Sequence, residues 1–283
     1  MHLPQTEAEL AELIRDAQSP LSICGGGTRG VASPGAPLGT SGLSGITLYE
    51  PGAMTVVAGA GTPVAEIETA LAAENQRLAF EPMDHRRLLG TTGEPTIGGV
   101  MSANVSGPRR ISVGAARDFL LGVRYVDGMG SIVKNGGRVM KNVTGYDLVK
   151  LMAGAHGTLG VQSEVSLKVL PCPETAATLV LHGLTDAQAI AALAKALGSP
   201  FEVSAAAHDP AAGETLLRVE GFEQSVSYRI SQLQNLLGGE TTVERDSAAR
   251  WAGWRDVTAF AEAGEDIWRI SCKPSDAPAL VAK

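Results

Sequence analysis

Six residues, Gly25-Gly26-Gly27-Thr28-Arg29-Gly30, follow directly on the apolar run Leu21-Ser22-Ile23-Cys24. A strand that runs into four glycines makes a turn whose amide N–H groups can converge on a pyrophosphate, with the Thr28 hydroxyl as a further donor. No helical pattern follows the loop, which sets it apart from the phosphate turn of a βαβ dinucleotide fold. It also lacks the Lys-Ser or Lys-Thr of a Walker loop, so a P-loop nucleotidase is rejected. Taken alone, the loop is equally compatible with a plain turn between strands.

Two further segments have the same character. In Glu94-Pro95-Thr96-Ile97-Gly98-Gly99-Val100-Met101-Ser102-Ala103-Asn104-Val105-Ser106-Gly107, most positions from Gly98 onward are small. Such a backbone can press against a flat ring system while Thr96, Ser102 and Asn104 supply polar contacts; close helix–strand packing is the structural alternative. Lys141-Asn142-Val143-Thr144-Gly145-Tyr146-Asp147-Leu148 and then Ala155-His156-Gly157-Thr158-Leu159-Gly160-Val161 form the third segment, where glycines let the chain pass close to a ligand. Taken alone, either piece reads better as a helix end or a hairpin entry. Arg109 and Arg110 stand just after the second segment, where a guanidinium could face a ring or an anionic substrate, or simply lie in water. They are the candidate catalytic residues.

The elements that must hold these segments are legible from patterning. Thr6 to Glu9 reads as a capping box before a helix with Leu10, Leu13 and Ile14 on one face. Strands follow near Ile46–Tyr49 and Met54–Ala58, and Thr62 is expected to cap a helix with Pro63 in its first turn. Leu120–Asp127 and Ser131–Lys134 predict a hairpin around Asp127-Gly128-Met129-Gly130. A helix is expected from Thr144, with Asp147 as its capping partner, and a long strand over Val161–Leu170.

Pro171-Cys172-Pro173 interrupts this pattern, which places a domain boundary between residues 1–172 and 173–283. Beyond it the order is strand 178–183, helix 186–197, strands 201–206 and 215–220, helix 223–237 and strand 241–244. That is a ferredoxin-like unit. A further strand is expected over Asp266–Cys272, with a helix starting at Ser275. The sequence stops there, one element into a second copy of the unit, so this cap domain is expected to be incomplete and its tail poorly anchored.

Composition narrows the function classes. Of 34 glycines, 26 fall in residues 1–173. That is about twice the usual density, roughly 7%, and it points to backbone lining a site in the first domain. The net charge of −7 excludes nucleic acid as a partner, despite local arginines such as Arg86, Arg87, Arg117 and Arg124. Cys24, Cys172 and Cys272 form no CxxC pair, which argues against a zinc site or a disulfide framework and suits a reducing compartment. No apolar run approaches the ~18 residues of a membrane-spanning helix, so membrane contact is expected to be peripheral at most.

Together, TIGGVMSANVSGPRR, ARDFLLGVRYVDGMG and GGRVMKNVTGYDLVKLMAG resemble the FAD-binding domain, of the PCMH type, shared by vanillyl-alcohol oxidase, D-lactate dehydrogenases and the flavin subunits of glycolate oxidase. The resemblance spans roughly residues 3–172 and is strongest toward the E-type subunits of bacterial glycolate oxidases. It implies an α+β fold with two α+β subdomains holding an extended FAD, followed by a partial antiparallel, ferredoxin-like cap. By that similarity, Gly25, Gly26, Gly27, Thr28, Arg29 and Gly30 hold the pyrophosphate together with Thr96, Ile97, Gly98, Gly99, Ser102, Asn104 and Gly107. Gly157, Gly160 and Val161 lie near the flavin or adenine.

The resemblance further implies glycolate oxidation to glyoxylate within a complex that contains a sister flavin subunit and an iron–sulfur subunit. The location it implies is the cytoplasm or the inner face of the cell membrane. A stand-alone oxidoreductase for another small 2-hydroxy acid or alcohol, and a scaffold with a vestigial FAD site, are the alternatives. The intact glycine loop weighs against the second. Metal-dependent relatives use paired histidines in the second domain, where this chain has only the well-separated His182 and His208, so no metal is expected. No histidine lies between His2 and His85, and FAD is therefore expected to bind non-covalently. Acid precipitation of the purified flavoprotein should release all of its yellow colour, and flavin retained in the pellet would contradict this.

Overall fold

The computed structural model describes every residue except 31–32, 140–144, 262–263, 265 and 283. The chain divides into two compact units, Met1–Gly107 with Gly114–Cys172, and Pro108–Val113 with Pro173–Lys283.

The first unit begins with α1 (Glu7–Asp16), where Thr6 caps the helix by accepting the Glu9 N–H at 3.2 Å. The Glu9 carboxylate turns back to the Gln5 N–H at 2.7 Å, one residue earlier than a reciprocal capping box would place it. Leu10, Ala11 and Ile14 fall on one face and pack on Leu38, Leu43, Val126 and Val161. The strands β1 (Leu21–Cys24) and β2 (Ala36–Gly39) form a small parallel pair.

Next come β3 (Ile46–Glu50), β4 (Thr55–Gly59), α2 (Val64–Ala73), β5 (Gln76–Arg77), α3 (Arg86–Leu89) and α4 (Ile97–Ser102). After α5 (Arg110–Val113), which belongs to the second unit, the chain returns through α6 (Ala116–Phe119), β6 (Leu120–Val126) and β7 (Ile132–Gly136). It finishes the first unit with α7 (Leu148–Met152), β8 (Val161–Lys168) and β9 (Leu170–Pro171). One antiparallel sheet has the order β3-β4-β8-β6-β7, and β5 pairs with β9. As the middle strand, β8 is buried on both faces, with Val161, Val165 and Leu167 in the core and Gln162, Ser163 and Ser166 buried as well.

The turn after β6 is fixed locally. The Asp127 carboxylate accepts the N–H groups of Met129 and Ser131, each at 2.9 Å, and Gly130 takes a φ of +75°. The α1 helix is fastened to the sheet by charge: Glu7 accepts from Arg124 of β6 through Nε at 3.1 Å and through Nη2, and from Ser163 Oγ of β8 at 2.6 Å.

The second unit contains β10 (Thr175–His182), α8 (Asp186–Leu197), β11 (Ala205–Asp209), β12 (Glu214–Gly221), α9 (Glu223–Leu237), β13 (Thr241–Glu244), α10 (Ala248–Asp256) and α11 (Ala277–Val281). Its sheet runs β11-β12-β10-β13 with every pair antiparallel, the ferredoxin-like order. Leu179, Leu181, Leu217 and Val219 point to one face and pack against Val226, Ile230 and Leu233 of α9. The molecule is thus α+β, with antiparallel sheets in both units.

Three local expectations are corrected. Thr62 does not cap α2: Pro63 holds that position, while the buried Thr62 hydroxyl bonds to Gly59 O at 2.7 Å and accepts from Gly45 N at 2.9 Å. The helix expected from Thr144 is α7, which starts at Leu148, with Asp147 itself as the cap on the Lys150 N–H at 3.2 Å. Gly145, at a φ of +78°, cannot continue a right-handed helix, and Thr144 lies outside the described residues. The described residues of 266–272 form no strand, since no strand edge bonds to them, and Trp268 is 84% exposed.

Burial pushes the Glu7 carboxyl up, but the bonds from Arg124 and Ser163 outweigh it and hold the group below the usual carboxylate range. A carboxyl with a depressed folded-state pKa stabilises above its unfolded value and loses that contribution as pH falls through the folded one. Glu7→Gln should therefore destabilise the protein by about 1 kcal/mol near neutral pH. The difference should shrink below about pH 4. Thermal melts of both proteins across that range check it, and a gap independent of pH would count against the account.

Candidate functional site

A cavity of about 340 Å³ opens in the first unit between the end of β1, the 25–30 loop, the start of α4 and the turn before β8. Many of its lining residues are glycines, and at several of them the segments approach too closely for a side chain. A Cβ on Gly26 would sit 1.6 Å from the Glu94 carbonyl oxygen, and one on Gly25 would sit 2.4 Å from Thr96 Oγ1. In turn, Gly93 passes Gly26 O at a φ of +99°, where a Cβ would be 2.2 Å away. Side chains brace the loop from outside: Thr91 Oγ1 donates to Thr28 O at 2.7 Å, and Arg86 Nη1 donates to Gly93 O at 3.1 Å.

The two glycine segments differ in what they leave for a ligand. At the start of α4, the N–H of Ile97 bonds Thr62 O at 2.9 Å, that of Gly98 bonds Ala60 O at 2.8 Å, and that of Gly99 bonds Thr96 Oγ1 at 3.3 Å. Those donors are occupied. By contrast, the N–H groups of Gly25, Gly26, Gly27, Thr28 and Arg29 have no acceptor among the described residues. A run of unbonded amides around a left-handed glycine (Gly27, φ +70°) has the make-up of an anion-binding nest.

Charge points the same way. Arg29 borders the cavity and donates through Nη2 to Gly99 O, but pairs with no carboxylate among the described residues. Burial pulls its pKa below the usual arginine value. The nearby acids are already engaged, since Arg86 pairs with Asp84 at 2.8 Å and with Glu94 at 3.0 Å. A half-buried cation beside five free N–H groups suits a doubly charged phosphate ligand.

The far wall is the turn into β8. The His156 N–H bonds Ser102 O at 2.8 Å, and the residue takes a φ of +53°, followed by Gly157 at +76° and Gly160 at +150°. A Cβ on Gly160 would meet Val126 O at 2.6 Å. Of the residues expected at the site, Gly25 to Gly30, Thr96, Gly98, Gly99, Ser102, Gly157, Gly160 and Val161 border this cavity.

Others stand elsewhere. Ile97 is fully buried in the core, Asn104 Oδ1 accepts the Arg117 N–H at 2.9 Å, and the Gly107 N–H bonds Phe80 O at 2.8 Å. Lys141 to Thr144 lie outside the described residues. Sequence reasoning did not bring Thr40, Met83, His85 or Gln162 to the wall, and no local pattern marks them.

In the second unit, Arg109 is buried and its Nε and Nη2 bond the Glu220 carboxylate at 2.8 Å each, while Arg110 is exposed. The guanidinium of Arg109 is thereby committed to an ion pair within its own unit. Among the described residues no three His, Cys, Asp or Glu side chains gather as metal ligands. His182 bonds Thr242 Oγ1 at 2.9 Å, and His208 bonds Thr215 Oγ1 at 2.9 Å and Asp186 Oδ1 at 3.1 Å. Trp251 is core, with its Nε1 on Thr178 Oγ1 at 2.8 Å.

Residues 1–136 match the FAD binding domain family, and this part of the chain is an FAD-binding domain. The chain is 37% identical over 237 residues to the glycolate oxidase subunit GlcE of Escherichia coli K12, a match covering 83% of this chain and 63% of GlcE. The glycolate oxidase subunit GlcD of Bacillus subtilis is 42% identical over 95 residues, 33% of this chain and 20% of that protein. A D-lactate dehydrogenase of Anaerostipes hadrus is 36% identical over 109 residues, 38% of this chain and 22% of that protein. The chain thus spans less than two thirds of the length of these relatives. The fold is also that of an alkyldihydroxyacetonephosphate synthase structure, with a TM-score of 0.70 at 17% identity over 91% of this chain and 55% of that one.

The contacts at Gly26 give a direct test. Gly26→Val must push the 93–95 segment away from the loop, and FAD affinity should fall at least about tenfold. Gly52→Val, at a position with open space around it, should leave flavin occupancy unchanged. The ratio of absorbance at ~450 nm to that at 280 nm reads both.

Proposed function

We propose that this chain is the FAD-binding subunit of a glycolate-oxidising complex, working with a sister flavin subunit and an iron–sulfur subunit to convert glycolate to glyoxylate. The observation that carries the reading is the pairing of five unbonded amides with the uncompensated Arg29 charge at one end of a glycine-walled cavity. This chemistry fits the pyrophosphate of FAD, which the Gly25–Gly30 loop would hold from one side, with Arg29 neutralising part of its charge. Gly98, Gly99, Ser102, Gly157, Gly160 and Val161 would pass close to the rest of the cofactor as backbone. Their small size keeps the wall flat, and His156, fixed through its N–H on Ser102 O, borders the same space. When bound, FAD supplies a two-electron acceptor for the C–H bond beside the hydroxyl of a 2-hydroxy acid.

The similarity to GlcE along most of this chain supports the glycolate reading, and the shorter similarity to GlcD supports a complex of related flavin subunits. With His182 and His208 engaged on separate elements, this chain presents no paired-histidine centre for the substrate among its described residues. Its part in the complex is therefore to carry FAD and pass electrons, while the sister subunit holds the fuller substrate site. No helix among the described residues is long and apolar enough to cross a membrane. We place the complex in the cytoplasm, with at most peripheral contact at the inner face of the membrane.

Purified chain titrated with FAD should bind it, and glycolate should bleach the flavin rapidly only when the partner subunits are present. Arg29→Gln should weaken FAD binding by about ten- to a hundredfold, the range for a charge-assisted bond. Protein that takes up no flavin at saturating FAD would refute the cofactor site. Rapid bleaching of the lone, metal-stripped chain by glycolate would refute the division of labour.

A further inference from the structure

The second unit carries a strand-like segment with no sheet and a sheet edge with no neighbour. Residues 266–272 read Asp-Ile-Trp-Arg-Ile-Ser-Cys, rich in the β-branched and aromatic side chains that favour strands. All seven are exposed, Ile270 at 71%, and their backbone groups bond to no described residue. The free edge is β13, which pairs with β10 alone. The bond from the His182 N–H to Glu240 O sets the alternation of that ladder. Thr242 and Glu244 therefore turn their backbone groups toward β10, while Thr241 and Val243 turn theirs outward. Val243 also exposes its side chain at this edge. The opposite edge strand, β11, has α5 beside it.

We propose that two copies of this chain join by exchange, with residues 266–272 of each copy lying antiparallel on the β13 edge of the other. One register matches both packing and charge. With Ile270 across from Val243, apolar side chains meet at the edge, and Arg269 stands across from Glu244. Glu244 Oε1 takes a bond from Arg250, but its Oε2 has no partner among the described residues, and neither has the Arg269 guanidinium. In the same register the outward groups of Thr241 and Val243 face Cys272 and Ile270. A segment's own β13 is not the edge it meets. The α11 helix just after the segment packs beside α8, which lies over β11 and β12, on the half of the sheet away from β13. A chain with both a spare strand and a spare edge closes as a two-fold pair, because each copy donates and accepts once.

Substitutions in 266–272 leave the single chain folded, since the segment bonds nothing within its own copy, so the test can be made there. Sedimentation equilibrium should find wild type dimeric at micromolar concentration. Ile270→Pro, which removes an N–H directed at Val243, should weaken the dimer at least about tenfold. Thr242 and Ser271, both exposed, would face each other as a non-hydrogen-bonded pair, with Cα atoms about 4.5 Å apart and within disulfide reach. In a Cys272→Ser background, a mixture of Thr242→Cys and Ser271→Cys proteins should oxidise to a covalent dimer that neither forms alone. A monomeric wild type, or a dimer indifferent to Ile270→Pro, would overturn the proposal. So would a mixture that yields no more covalent dimer than its components, or a doubly substituted chain whose disulfide closes within one copy.

Discussion

The first unit depends on one close approach, that of the 25–26 backbone to the 93–96 segment. Gly26 against the Glu94 carbonyl and Gly93 against the Gly26 carbonyl leave no room for even a methyl group on either side. This contact converts a loop after a short strand into one wall of a cavity. It also fixes where Thr96 stands, and with it the start of α4 and the bonds that tie Ile97 and Gly98 back to Thr62 and Ala60. A wall of backbone is stiff and thin. It can follow a flat, extended ligand, and its N–H groups are available where the chain has not already used them.

The fold separates donors by what surrounds them. Helix α4 is wedged against the strand end at Ala60, so its leading N–H groups find carbonyls within the protein. The 25–29 turn projects from a two-stranded pair and meets no such partner. The same exposure leaves Arg29 with a carbonyl and no acid, while Arg86 nearby is balanced by Asp84 and Glu94. Uncompensated charge and free amides therefore coincide at one end of the cavity.

The second unit resolves its buried charge internally. Glu220 lies between Arg109 and Arg218, at 2.8 and 3.7 Å. Arg218 also bonds Ser204 Oγ at 3.1 Å and stacks 4.9 Å from the Trp251 ring, whose Nε1 reaches Thr178. Each member is held by the next, so the polar face of this sheet is closed by a network while the opposite face is closed by leucine and valine.

What the sequence determined was local in origin. The cap at Thr6, the strand entering the glycine loop, the Asp127 turn and the β-α-β-β-α-β order all follow from residues within a few positions of one another. The glycine density of residues 1–173 announced a site made of backbone, and the three small-residue segments named most of its wall. Only the tertiary structure decided which donors stay free. Thr62 has the composition of a helix cap, yet its hydroxyl goes to Gly45 and Gly59 because the β3–β4 pair brings them within reach. Arg109 has the position of a substrate arginine, yet Glu220, 111 residues away, takes its guanidinium. Asp266–Cys272 has the make-up of a strand but pairs with no strand among the described residues. Gln162 is one of several polar residues on β8, and only the fold brings the Met152 carbonyl oxygen to its amide. A side chain's propensity is written in its neighbours along the chain, but its hydrogen-bond partner is chosen by whatever the fold sets within about 3 Å of it.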